Sequence, residues 1–155
     1  MRSILFVSPS SSGQLQIAKY FWSFYKPEGV EAGFAVLENN LINPWLKNSM
    51  KSFGHPIEQK QVESVFTLST RKKDFDCIVS LGNFRNYSTI SPFLNTLEIL
   101  FGTFVKKLCW DIADPESIKG NNFQKSEQAS SIRDRIEFEI AQFSQALEEH
   151  EDTAL

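Results

Sequence analysis

The chain has 155 residues, 41% of them hydrophobic, with a formal charge of −3 and an isoelectric point near 5.4. That length fits a single domain over residues 1–155 with a real core, and the acidic balance excludes the broad basic field that binds duplex nucleic acid or an anionic membrane. No apolar run approaches the roughly 18 residues of a membrane span, and the opening residues lead directly into a strand pattern instead of a signal peptide, so a cytoplasmic protein is expected.

The first element is Ile4-Leu5-Phe6-Val7, a short apolar run that reads as a buried strand. It runs into Ser8-Pro9-Ser10-Ser11-Ser12-Gly13-Gln14, a loop of small residues that opens a helix. In an open α/β sheet the carboxyl end of the first strand is where a ligand sits, with loop amides and a helix N-terminus able to hold an anion. No side chain of this loop carries a charge, a thiol or an imidazole. A serine-rich turn with Ser11 or Ser12 as N-cap explains the same residues without any ligand.

Ile17, Ala18, Phe21, Phe24 and Tyr25 then share one helical face, closed by Pro27 and Gly29. Val30 to Leu37 is a second strand, so the chain opens with a βαβ unit. Asn43-Pro44 starts a second helix, since Asn accepts from free first-turn amides and Pro at the first position loses no needed donor. Leu46, Met50 and Phe53 follow at helical spacing before Gly54. Val62, Val65 and Phe66 mark another short helix. Phe75 to Leu81, ending at Gly82, is a near-continuous apolar run and so a strand covered on both faces.

Ser91-Pro92 opens the next helix, with Phe93, Leu94, Leu97, Leu100 and Phe101 on one side and Gly102 after it. Phe104 to Trp110 is the fourth strand, Asp111 to Asn122 a polar loop, and Ser126 to Glu149 an amphipathic helix. Arg71-Lys72-Lys73 reads as a solvated turn. Cys77 and Cys109 lie in apolar strand settings without C-x-x-C or metal-ligand spacing, so both are expected as buried thiols, and no metal or other cofactor is implied. Tyr20, Trp22 and Tyr25 surround the core stripe of the first helix, and Trp45 sits off the Leu46-Met50-Phe53 line of the second. Large aromatics there are typical interface anchors, so a homodimer or a protein partner is one reading and ordinary core packing the other.

Four strands alternating with helices define an α/β fold. The order of its pieces resembles the low-molecular-weight protein tyrosine phosphatases and, within that fold, the arsenate reductases of the thioredoxin-coupled type. The resemblance is carried by Ile4-Leu5-Phe6-Val7 before the loop, Ala18, Glu31-Ala32-Gly33 and Asn43-Pro44. It continues through Gly54-His55-Pro56-Ile57, Phe75-Asp76 and the Arg133 to Phe143 helix. Its most specific stretch is Cys109-Trp110-Asp111-Ile112-Ala113-Asp114-Pro115, similar to the reductase pattern His-Trp-x-x-x-Asp-Pro. It implies a three-layer αβα architecture with a four-stranded parallel sheet of order 2-1-3-4.

In that family the loop reads Cys-x5-Arg followed by Ser or Thr. Loop amides and the helix N-terminus depress the thiolate pKa, and the arginine grips two oxyanion oxygens. The resemblance places Ser8 at the nucleophile, Gln14 at the arginine and Leu15 at the assisting hydroxyl. Gly82 and Thr89 stand at the two redox cysteines of the arsenate reductases, and neither Cys77 nor Cys109 takes their place. Asp114 alone survives, at the general acid.

The expectation is a catalytically inactive relative acting as a binding or regulatory module. It retains at most a weak phosphate- or sulfate-type anion site formed by Ser10, Ser11, Ser12, Gly13 and Gln14, with Arg85 as a replacement cation. The alternative is an enzyme of altered chemistry using Ser8 and Asp114 on an oxyanion or phosphoester. A serine hydroxyl needs an adjacent base, which the loop lacks, and Asp before Pro often only bonds local amides.

Overall fold

The computed structural model describes residues 2–10, 12–59, 62–71, 73–84 and 87–149; the loop residues Ser11 and Arg85 lie outside that set. The strands are β1 (Arg2–Ser8), β2 (Val30–Val36), β3 (Cys77–Gly82) and β4 (Lys106–Asp111). The helices are α1 (Ser12–Tyr25), α2 (Pro44–Phe53), α3 (Val65–Ser69), α4 (Tyr87–Phe101) and α5 (Asn122–Glu149), with a 3-10 turn at Pro115–Ser117. All four strands run parallel in the order β2-β1-β3-β4.

β1 and β3 are central, which is why their apolar runs are continuous: a strand covered on both faces has no polar side to alternate with. Ile4 and Phe6 face a core shared with α1, α2 and α5. Leu5 and Val7 face the opposite core, shared with α3 and α4. Phe6 is the hub of the first core. Its ring lies 5.3 Å from Trp22, 5.2 Å from Phe34, 5.8 Å from Trp110 and 6.3 Å from Phe143. Such aromatic pairs contribute about 0.5–1.5 kcal/mol each beyond the area they bury.

The second helix forms as its residues dictate. Asn43 Oδ1 accepts from the Trp45 amide at 2.8 Å, and Gly54 stops the helix at φ 96°, a conformation that suits glycine. α2 packs along α5, where Arg133 donates to the Ser49 carbonyl at 3.0 Å and lies over the Phe53 ring.

Several expectations are corrected. α4 begins at Tyr87, leaving Pro92 inside the helix. Proline does favour a first turn, but burial of Ile90 stabilises a further turn ahead of it. β4 starts at Lys106, and Phe104 is fully exposed. α5 starts at Asn122, four residues before Ser126. Val62 precedes α3, and Phe66 is half exposed.

Phe24, expected on the buried face of α1, points largely to solvent, and Tyr25 lies at the boundary with its hydroxyl donating to Glu137, while Trp22 takes the core-packing alternative. Over four turns the buried stripe of α1 follows Leu15, Ala18 and Trp22 and leaves the last residues behind. Cys77 is buried, but Cys109 is exposed. Leu108 and Trp110 turn toward the Phe6 core, so alternation sends Cys109 to the other face of an edge strand.

Candidate functional site

The loop after β1 meets the segments after β2, β3 and β4 at the carboxyl edge of the sheet. Ser8 is buried at the end of β1. Its carbonyl accepts from the Leu37 amide and that of Pro9 from the Glu38 amide, each at 3.0 Å. The start of the loop is thereby stitched to the chain leaving β2. Gly82, at the end of β3, lies under the same loop: a Cβ there would sit 3.3 Å from both Pro9 Cδ and Phe84 Cζ. A side chain at position 82 would require the proline and aromatic rings to give by a few tenths of an ångström.

α1 begins at Ser12, whose side chain is fully buried and whose Oγ has no hydrogen-bond partner among the described residues. Gly13 permits a close approach of α2, since a Cβ would lie 3.1 Å from both Ile42 Cγ2 and Leu46 Cδ2. Gln14 is buried, and its Nε2 donates to the Ala113 carbonyl at 3.0 Å. The side chain at the expected arginine position thus ties α1 to the loop after β4. Leu15, at the expected hydroxyl position, is a core residue.

Asp114 is exposed and caps the 3-10 turn: its Oδ1 accepts from the Glu116 amide at 2.9 Å, and its carbonyl accepts from the Ser117 amide at 2.9 Å and Oγ at 2.6 Å. Ser10, Asn40, Asn43, Asp114 and Glu116 border one cleft of about 470 Å³. The cleft brings Asp114 together with Ser10, while Ser8 is not in its wall. Its described lining carries two carboxylates and no cationic side chain. Arg85, the expected replacement cation, and Ser11 lie outside the described residues.

Asn43 has a role beyond its cap, because its Nδ2 donates to the Pro115 carbonyl at 3.1 Å. Two side-chain amides, Gln14 and Asn43, therefore hold the Ala113-Asp114-Pro115 loop from two helices. Asn43-Pro44 is visible in sequence as a helix start, but its reach to Pro115 is a tertiary contact with no local signal. Burial pushes the Cys77 thiol up to about 11, and the neighbours that partly desolvate the thiol of the exposed Cys109 raise it as well. Among the described residues no three His, Cys, Asp or Glu side chains are grouped to hold a metal.

The parallel sheet of order 2-1-3-4, the loop after β1 and the Asp-Pro turn after β4 define a low-molecular-weight phosphatase-like fold. No family model matches the sequence, and no curated protein sequence matches it. Solved structures do match. An arsenate reductase in its oxidized state is 17% identical with a TM-score of 0.67, covering 94% of this chain and 98% of that one. A YwlE arginine phosphatase, in a cysteine-to-serine mutant with a phosphorylated active-site serine, is 16% identical with a TM-score of 0.56 and covers 94% and 95%. A low-molecular-weight protein tyrosine phosphatase from Streptococcus pyogenes is 11% identical with a TM-score of 0.55 and covers 92% and 93%. The chain shares the fold of these proteins over nearly its whole length, as the resemblance in sequence implies. No helix among the described residues is long and apolar enough to cross a membrane.

Proposed function

We propose that this chain is a catalytically inactive relative of the low-molecular-weight phosphatases and arsenate reductases, acting as a binding or regulatory module in the cytoplasm. The observation that carries the reading is Gln14. A buried amide spanning to the Ala113 carbonyl stands where the family's chemistry needs a guanidinium. Losing a single oxyanion donor costs roughly 10²- to 10³-fold in rate, and here the thiolate, the arginine and the assisting hydroxyl are replaced together. Gly82 and Thr89 supply no relay thiols, and steric crowding at Gly82 fits that loss.

What the described part of the loop retains is a helix N-terminus and the backbone donors of Ser10, Ser12, Gly13 and Gln14. The Ser12 hydroxyl, unpartnered among the described residues, supports a weak anion site there, while the carboxylates of Asp114 and Glu116 at the rim oppose it. The test is an assay of the purified protein with p-nitrophenyl phosphate and with arsenate in a thiol-coupled system. No turnover above background is expected. Turnover that persists through purification and disappears in Ser8→Ala would overturn this reading.

The second reading is an altered enzyme using Ser8 and Asp114. It is favoured by one comparison: in the YwlE mutant an active-site serine is phosphorylated. Against it stand the burial of Ser8 and the engagement of Asp114 in its own turn. Incubation with acetyl phosphate followed by intact mass measurement separates the two. A phosphoryl adduct at Ser8 supports the enzyme, and an unmodified chain supports the binding module.

A further inference from the structure

We propose that the outer edge of β4 binds a second copy of this chain, strand to strand and antiparallel, so that the two sheets join into one. β4 ends the sheet on the side away from β2. Its register with β3, together with the Ile112 amide donating to the Gly82 carbonyl, turns the N–H and C=O groups of Lys106, Leu108 and Trp110 inward. Those of Lys107, Cys109 and Asp111 therefore point outward, because both groups of one strand residue face the same side and successive residues alternate. Lys106, Cys109 and Asp111 are exposed to solvent, and Lys107 and Cys109 have no backbone partner on the outer side among the described residues. An open edge of this kind is a template for another strand.

A second copy is selected because the strand is complementary to itself. With a two-fold axis at Cys109, antiparallel pairing sets position 107 of one copy opposite 111 of the other, and 108 opposite 110. Outward residues of one strand then meet outward residues of the other, as the ladder requires. Lys107 comes opposite Asp111 on the α4 side of the sheet, and Leu108 comes opposite Trp110 on the side of the Phe6 core. Both kinds of cross-strand pair are favourable. A slip of two residues either way separates the opposite charges, and a slip of four sets Lys107 against Lys107 or Asp111 against Asp111.

The other charges on this edge fit the same register. Glu98 on α4 lies 3.4 Å from the Lys107 ammonium, which removes the repulsion by which edge lysines usually keep strands apart. Lys106 comes opposite Ile112 and not opposite another cation. Asp111 accepts from the Phe84 amide at 3.4 Å within its own copy, and a carboxylate keeps acceptor capacity for an ammonium beyond one such bond.

Phe104 is an independent observation. It is fully exposed and stands just ahead of β4. Continuing the same register carries it to position 114 of the other copy, beside a cavity of about 730 Å³ between the loop after β4 and α5. Ala113, Ile118 and Ile132 give that cavity an apolar wall, and Asp111, the last residue of β4, also lines it, so the cavity adjoins the edge. Its charged lining is mixed in sign, with Arg135 paired to Glu139 at 2.7 Å, and calls for no charged occupant. Antiparallel pairing of the two edges brings the exposed ring of each copy to the cavity of the other. Neither Ser8 nor Gln14 belongs to this surface, so the pairing is independent of whether the loop after β1 is catalytic.

The test is sedimentation velocity of the full chain in reducing buffer over a concentration series, where a reversible monomer-dimer equilibrium is expected. Phe104→Asp changes a side chain exposed in the single copy and should raise the dimer dissociation constant at least about tenfold. Cys109→Pro removes an outward donor at an edge, where proline is tolerated, and should abolish the dimer. If Cys109→Pro fails to fold, Phe104→Asp decides alone.

Register is read by cross-linking. The two Cys109 residues face each other across the axis with Cα atoms about 5.5 Å apart, so the short thiol cross-linker dibromobimane should join two copies through Cys109 and should not join Cys109→Ser; Cys77 is buried. A monomer at every concentration would overturn the proposal, and protection of the Cys109 amide from hydrogen exchange in that monomer would give the edge to another segment of the same chain. A dimer that Phe104→Asp leaves unchanged, or that forms without a Cys109 cross-link, would overturn it as well, since its interface then lies elsewhere.

Discussion

Gln14 and Cys77 show how much a single buried side chain decides in this molecule. Gln14 lies under the first turn of α1 and reaches a carbonyl 99 residues away. Gln14→Ala removes that tie and leaves a small void, so a loss of about 1–2 kcal/mol is expected in urea denaturation with an unchanged slope. A change near zero would remove Gln14 as the clamp of the Ala113 loop. Cys77 carries a pH dependence. Its thiol stays protonated in the folded chain up to about 11, while the unfolded thiol ionises near 9. Unfolding then releases a proton between those values. Stability is at full strength below about pH 9 and falls as pH rises toward 11, by up to about 1.4 kcal/mol per unit. Comparing urea midpoints of the wild type and Cys77→Ala at pH 8 and 10.5 checks this, with the steeper loss expected in the wild type.

At the scale of elements, the junction of α2 with the loop after β4 depends on Asn43. Its oxygen caps α2 and its amide holds the Pro115 carbonyl. Asn43→Ala should cost about 1–2 kcal/mol. Asn43→Asp keeps the cap and loses the donor, so it should recover part of that loss, again read from denaturation midpoints. Equal destabilisation by both variants would place the whole effect in the Pro115 contact. α4 teaches a different lesson about elements. Pro92 marks a legitimate first-turn signal, yet the helix extends ahead of it because Ile90 has a core to enter. Local propensity amounts to tenths of a kcal/mol per residue, and burial of one large aliphatic side chain contributes about 1.5–3 kcal/mol.

Across the whole molecule, Phe6 joins β1 to α1, β2, β4 and α5 through four rings, and β1 separates two cores that both contain β3. Such sharing predicts one cooperative unit. Trp22 and Trp110 report the Phe6 core, while Trp45 reports α2, where the Lys125 ammonium lies over its ring. Tryptophan fluorescence and far-UV circular dichroism should therefore give coincident single transitions. Separate transitions would show that α2 and its neighbours unfold independently of the sheet.

The sequence by itself determined four strands alternating with helices and the loop after β1, and its resemblance implied the parallel order that the sheet has. These rest on short-range signals: continuous apolar runs for doubly covered strands, and the Asn-Pro start and Gly stop of α2. Only the tertiary structure decided that Gln14 and Asn43 clamp one loop from two helices, since neither contact has a sequence period. It also decided that Trp22 is core while Phe24 is not, and that Cys109 is exposed while Cys77 is buried. The same apolar residue on a strand or helix faces core or solvent according to which layer packs beside it, and that layer comes from residues far away in the chain.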